Sequence, residues 1–189
     1  MTVTRRSAVL GGLGALAGLG GLAALWSRRP SAGSVRARLA TTLPAPAGPL
    51  SVYHLGHSLV NRNMPAMLAQ LAPAGHRYNS QLGWGATLMA HWGDAEIGGF
   101  DTENAHPRFR PAHEAVESAD YDAIVLTEMV EIRAAIRYFD SSTYLSRWAT
   151  KAIAARPDVR LYFYETWHQL DDPEGWLERL DLDHDRFWL

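Results

Sequence analysis

The chain is 189 residues long, carries a formal net charge of −2 and contains no cysteine. This length, with 47% hydrophobic residues, suits one well-buried domain rather than two. The lack of cysteine excludes disulfide scaffolds, thiolate zinc sites and cysteine nucleophiles. Residues 1–50 hold six arginines and no acid, so subtracting six charges from −2 leaves −8 on the remainder. An acidic body with no basic stripe disfavours nucleic acid as a partner.

The N-terminal residues 1–30 have the pattern of an export signal. Arg5 and Arg6 precede an uncharged run over residues 7–27 that is rich in Gly, Ala and Leu, which is similar to a twin-arginine signal. The run is also near the minimum of about 17–20 residues that spans a bilayer, so a retained membrane anchor is the alternative. Both interpretations predict an exported domain, periplasmic or extracellular, that meets a membrane only through this segment.

The remaining chain divides into a predicted linker and a predicted domain. Residues 31–49 are rich in Pro, Ala and Ser without periodicity, which is typical of a linker. In the domain, residues 50–189, the stretches PLSVYHLGHS, HRYNSQ, YDAIVLTE and VRLYFYET predict four strands. NMPAMLAQLA, residues 140–156 and DDPEGWLERLDLDHDRFW predict helices between or after them. This alternation predicts a three-layer α/β/α fold, flavodoxin-like, with a mostly parallel sheet.

Candidate functional residues follow the predicted strands. Ser58 comes after the first strand and Gly85 after the second, Glu128 ends the third, and His168 follows the fourth. In open α/β sheets, ligand sites form beyond the carboxyl ends of the strands, so we expect these residues to converge. The N-terminus of the next helix would help the N–H of Ser58 hold an oxyanion, and simple helix capping by its hydroxyl is the alternative. His57 points to the opposite face from its neighbour, so we expect it to pack or hydrogen-bond rather than act as the base.

Two short motifs resemble the SGNH (GDSL-type) hydrolases. Gly56, His57, Ser58 and Leu59, directly after the first strand, resemble block I of that superfamily, with His57 in place of the usual Asp. Gly85, Ala86 and Thr87 resemble block II. The resemblance covers about residues 50–188 and implies a serine esterase that needs no cofactor or metal. It implies Ser58 as the nucleophile and the N–H of Gly85 as an oxyanion donor.

This chain departs from the SGNH pattern at the third strand. The superfamily has an Asn there, but Glu128 stands in this position, and an ionised carboxylate accepts hydrogen bonds without donating them. We therefore expect Glu128 to orient a substrate hydroxyl or a neighbouring side chain. A solvated acid at the strand end is the alternative.

The second departure concerns the base, which in the superfamily is a His three residues after an Asp, late in the chain. Asp181 and His184 have this spacing. However, one predicted helical face carries His184 together with apolar residues: Trp176, Leu177, Leu180 and Trp188. We therefore expect the base to lie beyond residue 189, in a domain incomplete at its C-terminus, and keep Asp181 and His184 as the alternative.

The sequence predicts an exported serine ester hydrolase that acts on a small acyl ester. Trp84 and two further loop tryptophans, Trp92 and Trp167, would stack on sugar rings, which favours an acylated carbohydrate as substrate; core anchoring is the alternative. A catalytically inactive module of the same fold, binding carbohydrate or the cell envelope, is the competing function. The histidines show no His-x-x-x-His pairing, so we predict no metal site.

Overall fold

The computed structural model describes residues 43–129, 131–164 and 166. The predictions for the export signal, for most of the linker, for the last helix, and for Trp167, His168, Asp181 and His184 lie outside these residues. Residues 43–49, the described end of the predicted linker, form neither helix nor strand. Within the described ranges, we find no helix with the length and apolarity needed to cross a bilayer.

Four parallel strands form one sheet in the described part of the chain. They are β1 (Ser51–Gly56), β2 (Arg77–Leu82), β3 (Ala123–Thr127) and β4 (Arg160–Tyr164), in the order β2-β1-β3-β4. All three neighbouring pairs are parallel. The four predicted strands and the parallel sheet are therefore confirmed.

Six helices accompany the strands in the same ranges: α1 (Asn63–Leu71), α2 (Leu88–Trp92), α3 (Phe100–Asn104), α4 (Ala112–Glu117), α5 (Ile132–Tyr138) and α6 (Ser141–Ala155). The connection through α1 leads from β1 to β2, whereas those through α4 and α6 lead across the sheet in the opposite direction. Right-handed crossovers therefore place α1 on one face of the sheet and α4 and α6 on the other. This arrangement is the predicted three-layer α/β fold.

The main core lies between the sheet and the face that α4 and α6 cover. Side chains alternate along a strand, so Tyr53 and Leu55 of β1 share this face, and each is 0% exposed. Trp148 of α6 packs into the same cluster, also 0% exposed, and its Nε1–H donates to the carbonyl oxygen of Leu88 at 3.2 Å. Core packing therefore ties α6 to the first residue of α2, beside the carboxyl end of the sheet.

Candidate active site

The carboxyl ends of all four strands meet at one edge of the sheet, because the strands are parallel. Ser58, Gly85 and Glu128 all lie in the segments that leave this edge. The first follows β1, the second follows β2, and the third directly follows β3. The structure therefore places three of the predicted site residues at the edge where α/β folds form ligand sites.

Ser58 lies in a tight turn between β1 and α1. The N–H groups of Val60 and Asn61 both donate to the carbonyl oxygen of His57, at 2.9 and 3.0 Å. Ser58 is exposed, so solvent reaches its hydroxyl. Helix α1 begins only at Asn63, and Arg62 is its N-cap residue. The alternative that Ser58 caps the helix is therefore wrong.

His57 is buried under this turn and uses both ring nitrogens. Its Nε2 lies 2.8 Å from the carbonyl oxygen of Glu128, and its Nδ1 lies 3.3 Å from the N–H of Leu59. Because Nδ1 accepts a hydrogen bond, the proton of the neutral ring is on Nε2. The Nε2–H group therefore donates a hydrogen bond to the carbonyl oxygen of Glu128. Burial lowers the pKa of His57, partly offset by this bond to the carbonyl. His57 is therefore a hydrogen-bonding residue, as predicted, and not a base facing Ser58.

Glu128 is 0% exposed, so the alternative of a solvated acid is wrong. Its Oε1 accepts hydrogen bonds from the N–H of Met129 at 2.8 Å and of Leu88 at 3.3 Å. Its Oε2 has no hydrogen-bond partner among the described residues. Burial raises the pKa of Glu128, and the hydrogen bond from the N–H of Met129 partly offsets this rise. The structure shows that Glu128 bonds to neighbouring backbone N–H groups. Contact between Glu128 and a substrate hydroxyl stays a prediction.

Gly85 lies in the turn that follows β2. Its φ of +54° is in the left-handed region, which glycine adopts without strain. The glycine is exposed, and a Cβ built on it would meet no atom within 4 Å. Two residues later, Thr87 caps α2 by accepting the N–H of Ala90 at 3.0 Å. The turn therefore presents an accessible backbone directly before an anchored helix.

His91 and Gln81 belong to the same edge, although the sequence did not assign them a role there. His91 donates its Nε2–H to the carbonyl oxygen of Gly56 at 3.0 Å, and its Nδ1 accepts the side-chain N–H of Gln81 at 3.0 Å. The other end of the Gln81 amide accepts the N–H of Ala112 at 2.8 Å, which fixes its orientation. Burial lowers the pKa of His91 to about 4. The signal in the sequence was the amide side chain of Gln81, which lies beside an apolar residue at the end of a predicted strand.

A groove of about 730 Å³ opens beside the turn after β2, and Trp84 forms part of its wall. The indole is 56% exposed, and its Nε1–H donates to Glu103 Oε1 at 2.9 Å. Its ring lies so close to Gly99 that a Cβ there would be 2.3 Å from Trp84 Cδ2. The ring is therefore held in place while much of its surface remains open to the groove.

A series of hydrogen bonds connects the segments that carry the predicted residues. The turn of Ser58 reaches Glu128 through His57, and Glu128 reaches α2, which follows Gly85, through the N–H of Leu88. Among the described residues, no group of three or more His, Asp or Glu side chains is placed to hold a metal ion.

Comparisons with protein-family models, with curated proteins and with solved structures found no match. The resemblance of residues 56–59 and 85–87 to the SGNH hydrolases therefore stays a prediction that rests on the residues themselves.

Proposed function

We propose that the chain is an exported serine ester hydrolase of the SGNH type. In this reaction the Oγ of Ser58 attacks the carbonyl carbon of an acyl ester, and the N–H groups of Ser58 and Gly85 hold the oxyanion that forms. Collapse of this intermediate releases the alcohol and leaves an acyl group on Ser58, which water then removes as the acid. The observation that carries the proposal is the exposed Ser58, in a turn that hydrogen-bonds through His57 to Glu128, whose carboxyl accepts the N–H of Leu88, three residues after Gly85.

The base in this proposal is a histidine outside the described residues. Among the described residues at this edge, both His57 and His91 already use their two ring nitrogens in hydrogen bonds. The sequence has two histidines outside the described residues: His184, which follows Asp181 at the spacing of the SGNH pattern, and His168, which follows the fourth strand. Whichever supplies it, this histidine takes the proton of Ser58 and passes it to the leaving alcohol.

An acylated carbohydrate is the substrate class that we favour. Sugar rings stack on exposed indole faces, and Trp84 offers such a face in the groove beside the turn of Gly85. The groove is large enough for a sugar, because small-molecule sites commonly enclose roughly 300–1,000 Å³. Trp84 is thus proposed to bind the alcohol part of the ester while Ser58 attacks its acyl part.

Hydrolysis of p-nitrophenyl acetate by the chain without its leader tests the proposal, beside Ser58→Ala and His184→Ala variants. The exposed Ser142 gives a matched control, Ser142→Ala, whose activity should equal that of the parent. Activity lost in Ser58→Ala alone supports a serine esterase with another base, and loss in both variants assigns the base to His184. Activity that survives in Ser58→Ala refutes the proposal.

A binding module without catalysis is the second candidate, favoured by the full engagement of His57 and His91. It predicts that the folded protein binds acetylated oligosaccharides without turning them over. Isothermal titration with such an oligosaccharide, followed by assay of released acetate, distinguishes the two functions. Binding without release of acetate supports the module.

A further inference from the structure

Glu128 makes hydrogen bonds to two different segments of the site while it is 0% exposed. Its main-chain carbonyl oxygen bonds the imidazole of His57, and its carboxyl bonds the N–H of Leu88. One segment follows β1 and the other follows β2, whereas Glu128 itself follows β3. A single buried residue therefore joins three strand ends.

On the side of β1, the contact brackets Ser58. His57, which precedes Ser58, donates to Glu128 at 2.8 Å, and Leu59, which follows it, donates its N–H to the same imidazole at 3.3 Å. The carbonyl of His57 also accepts the N–H of Val60 at 2.9 Å, which closes the turn. The backbone of Ser58 is thus held from both sides by a ring whose far nitrogen is bonded to Glu128.

On the side of β2, the contact fixes the start of α2. Oε1 of Glu128 accepts the N–H of Leu88 at 3.3 Å, and Trp148 donates to the carbonyl oxygen of the same Leu88 at 3.2 Å. Met129 donates its N–H to Oε1 at 2.8 Å, which limits rotation of the carboxyl group. Leu88 lies three residues after Gly85, so fixing Leu88 restricts the turn that carries the second oxyanion donor.

We propose that Glu128 is a positioning residue that sets the separation between the turn of Ser58 and the turn of Gly85. This inference rests on the proposed esterase function, in which the N–H groups of these two turns must point at one oxygen atom. In this role Glu128 acts through His57 and Leu88 without touching the substrate, in place of the contact with a substrate hydroxyl that the sequence suggested, and its side chain is 0% exposed. It needs an oxygen acceptor at Oε1, and it does not need a negative charge at the reacting atoms.

Three variants test this role: Glu128→Gln, Glu128→Ala and a control, Glu131→Ala. Gln keeps an oxygen acceptor for Leu88 and Met129, so we expect kcat to stay within about threefold of the parent value, whereas Ala should lower kcat about 100-fold. KM should change less than about threefold in both variants, because no substrate contact is lost. Glu131 accepts the N–H of Ala134 at 2.9 Å, so Glu131→Ala removes a comparable bond elsewhere and should leave kcat unchanged.

Two outcomes of the kinetic experiment overturn the inference. A raised KM with an unchanged kcat in Glu128→Ala would assign Glu128 to substrate binding instead. An equal loss of kcat in Gln and Ala would mean that the charge is required. If Glu128→Ala does not fold, Glu128→Asp replaces it, since the shorter side chain withdraws the acceptor from Leu88 and should likewise lower kcat.

Amide hydrogen exchange separates failure of this inference from failure of the esterase proposal. If the folded parent has no esterase activity, the esterase proposal fails, but the positioning role is still measurable at Leu88 and Met129, whose N–H groups bond to the carboxyl. The N–H groups of Leu59 and Val60 bond to His57, whose partner is the main-chain oxygen of Glu128, so every variant keeps these bonds and they serve as reference amides. Faster exchange of Leu88 and Met129 in Glu128→Ala, with protection kept in Glu128→Gln, supports the role of the carboxyl. Unchanged protection of Leu88 in Glu128→Ala overturns it.

Discussion

His91 donates its Nε2–H to the carbonyl oxygen of Gly56 at 3.0 Å, which bonds helix α2 to the last residue of β1. The pairing is fully buried, and Gln81 completes it by donating to the other nitrogen of the ring. Removing the imidazole would take one hydrogen bond from the carbonyl oxygen of Gly56 and one from the side-chain NH2 group of Gln81, both in the core. The contact therefore stabilises the edge that carries the candidate site.

We expect His91→Ala to lower the free energy of unfolding by about 2–4 kcal/mol, from lost packing and the loss of these buried hydrogen bonds. Urea denaturation followed by circular dichroism measures this change. Gln70 is exposed on α1, so Gln70→Ala is a suitable control and should change the stability by less than about 0.5 kcal/mol. A loss below about 1 kcal/mol in His91→Ala would contradict a structural role for the contact.

Acid should destabilise the fold through its buried histidines. Burial lowers the pKa of His54 and of His91 to about 4, from an ordinary value of 6.5. Between these pH values the unfolded chain binds more protons than the folded chain. The free energy of unfolding is therefore highest above pH 6.5 and falls as the pH approaches about 4. Each residue contributes a loss of about 3 kcal/mol across this window. Glu128 acts in the opposite direction, because burial raises its pKa above the ordinary value of 4.5. At pH values just above 4.5 the folded chain therefore binds this proton more readily than the unfolded chain, which reduces the loss of stability on acidification.

Urea midpoints measured between about pH 7.5 and about pH 4 test this dependence, in the parent and in His54→Leu. Nδ1 of His54 has no hydrogen-bond partner among the described residues, so Leu removes a titrating group without breaking a bond at that atom. We expect His54→Leu to lose less stability than the parent on acidification. Identical slopes in the two proteins would show that His54 does not contribute.

A methyl group at Gly56 should disturb the turn of Ser58. A Cβ at this position would lie 2.5 Å from Cγ2 of Val60 and 3.0 Å from its Cβ, so the turn must shift. We expect Gly56→Ala to cost about 1–3 kcal/mol of stability and to lower esterase activity more than about tenfold. Gly48 has no atom within 4 Å of its built Cβ, so Gly48→Ala is the matched control for stability and activity. Equal behaviour of the two variants would mean that the turn accommodates the methyl group.

Trp84 should influence binding of a carbohydrate ester rather than the chemical step. We take stacking of the indole on a sugar ring to contribute as much as an aromatic pair, about 0.5–1.5 kcal/mol, so we expect Trp84→Ala to raise KM for an acetylated sugar roughly 2- to 12-fold with kcat unchanged. KM for p-nitrophenyl acetate, which has no sugar ring, should stay the same. Tyr162 is 48% exposed in β4, outside the groove, and Tyr162→Ala serves as the control. An equal rise in KM for both substrates would exclude a sugar-specific role.

The strands could be predicted from the sequence because continuous apolar runs and glycine turns mark them locally. The long helix α6 was also predicted, since its residues 141–155 show a repeated apolar face. Helices α2 to α5 have five to seven residues each, which is too short for a periodic pattern to be recognised. Helix α2 is instead held by Thr87, Glu128 and Trp148, contacts that form only in the fold.

The position of the candidate site residues in the fold was predictable, but the connections between them were not. Ser58, Gly85 and Glu128 could be placed at one edge because parallel strands end on the same side of a sheet. The partners of the buried histidines lie far along the chain: Glu128 is 71 residues from His57, and Gly56 is 35 residues from His91. No local pattern reports such a pairing. The full burial of Glu128 was likewise hidden, because its contact with α2 forms only in three dimensions.

Both buried imidazoles at this edge donate to main-chain oxygens, those of Glu128 and Gly56. Every amino acid carries such an oxygen, so the acceptor half of each pairing survives any replacement that leaves the backbone in place. The donor half is carried by a ring that few residues can imitate. In a saturation mutagenesis library selected for folding, we therefore expect few replacements of His57 and His91 to survive. At Gly56 the size of the new side chain should decide which replacements survive, and at Glu128 the presence of a side-chain oxygen should decide it.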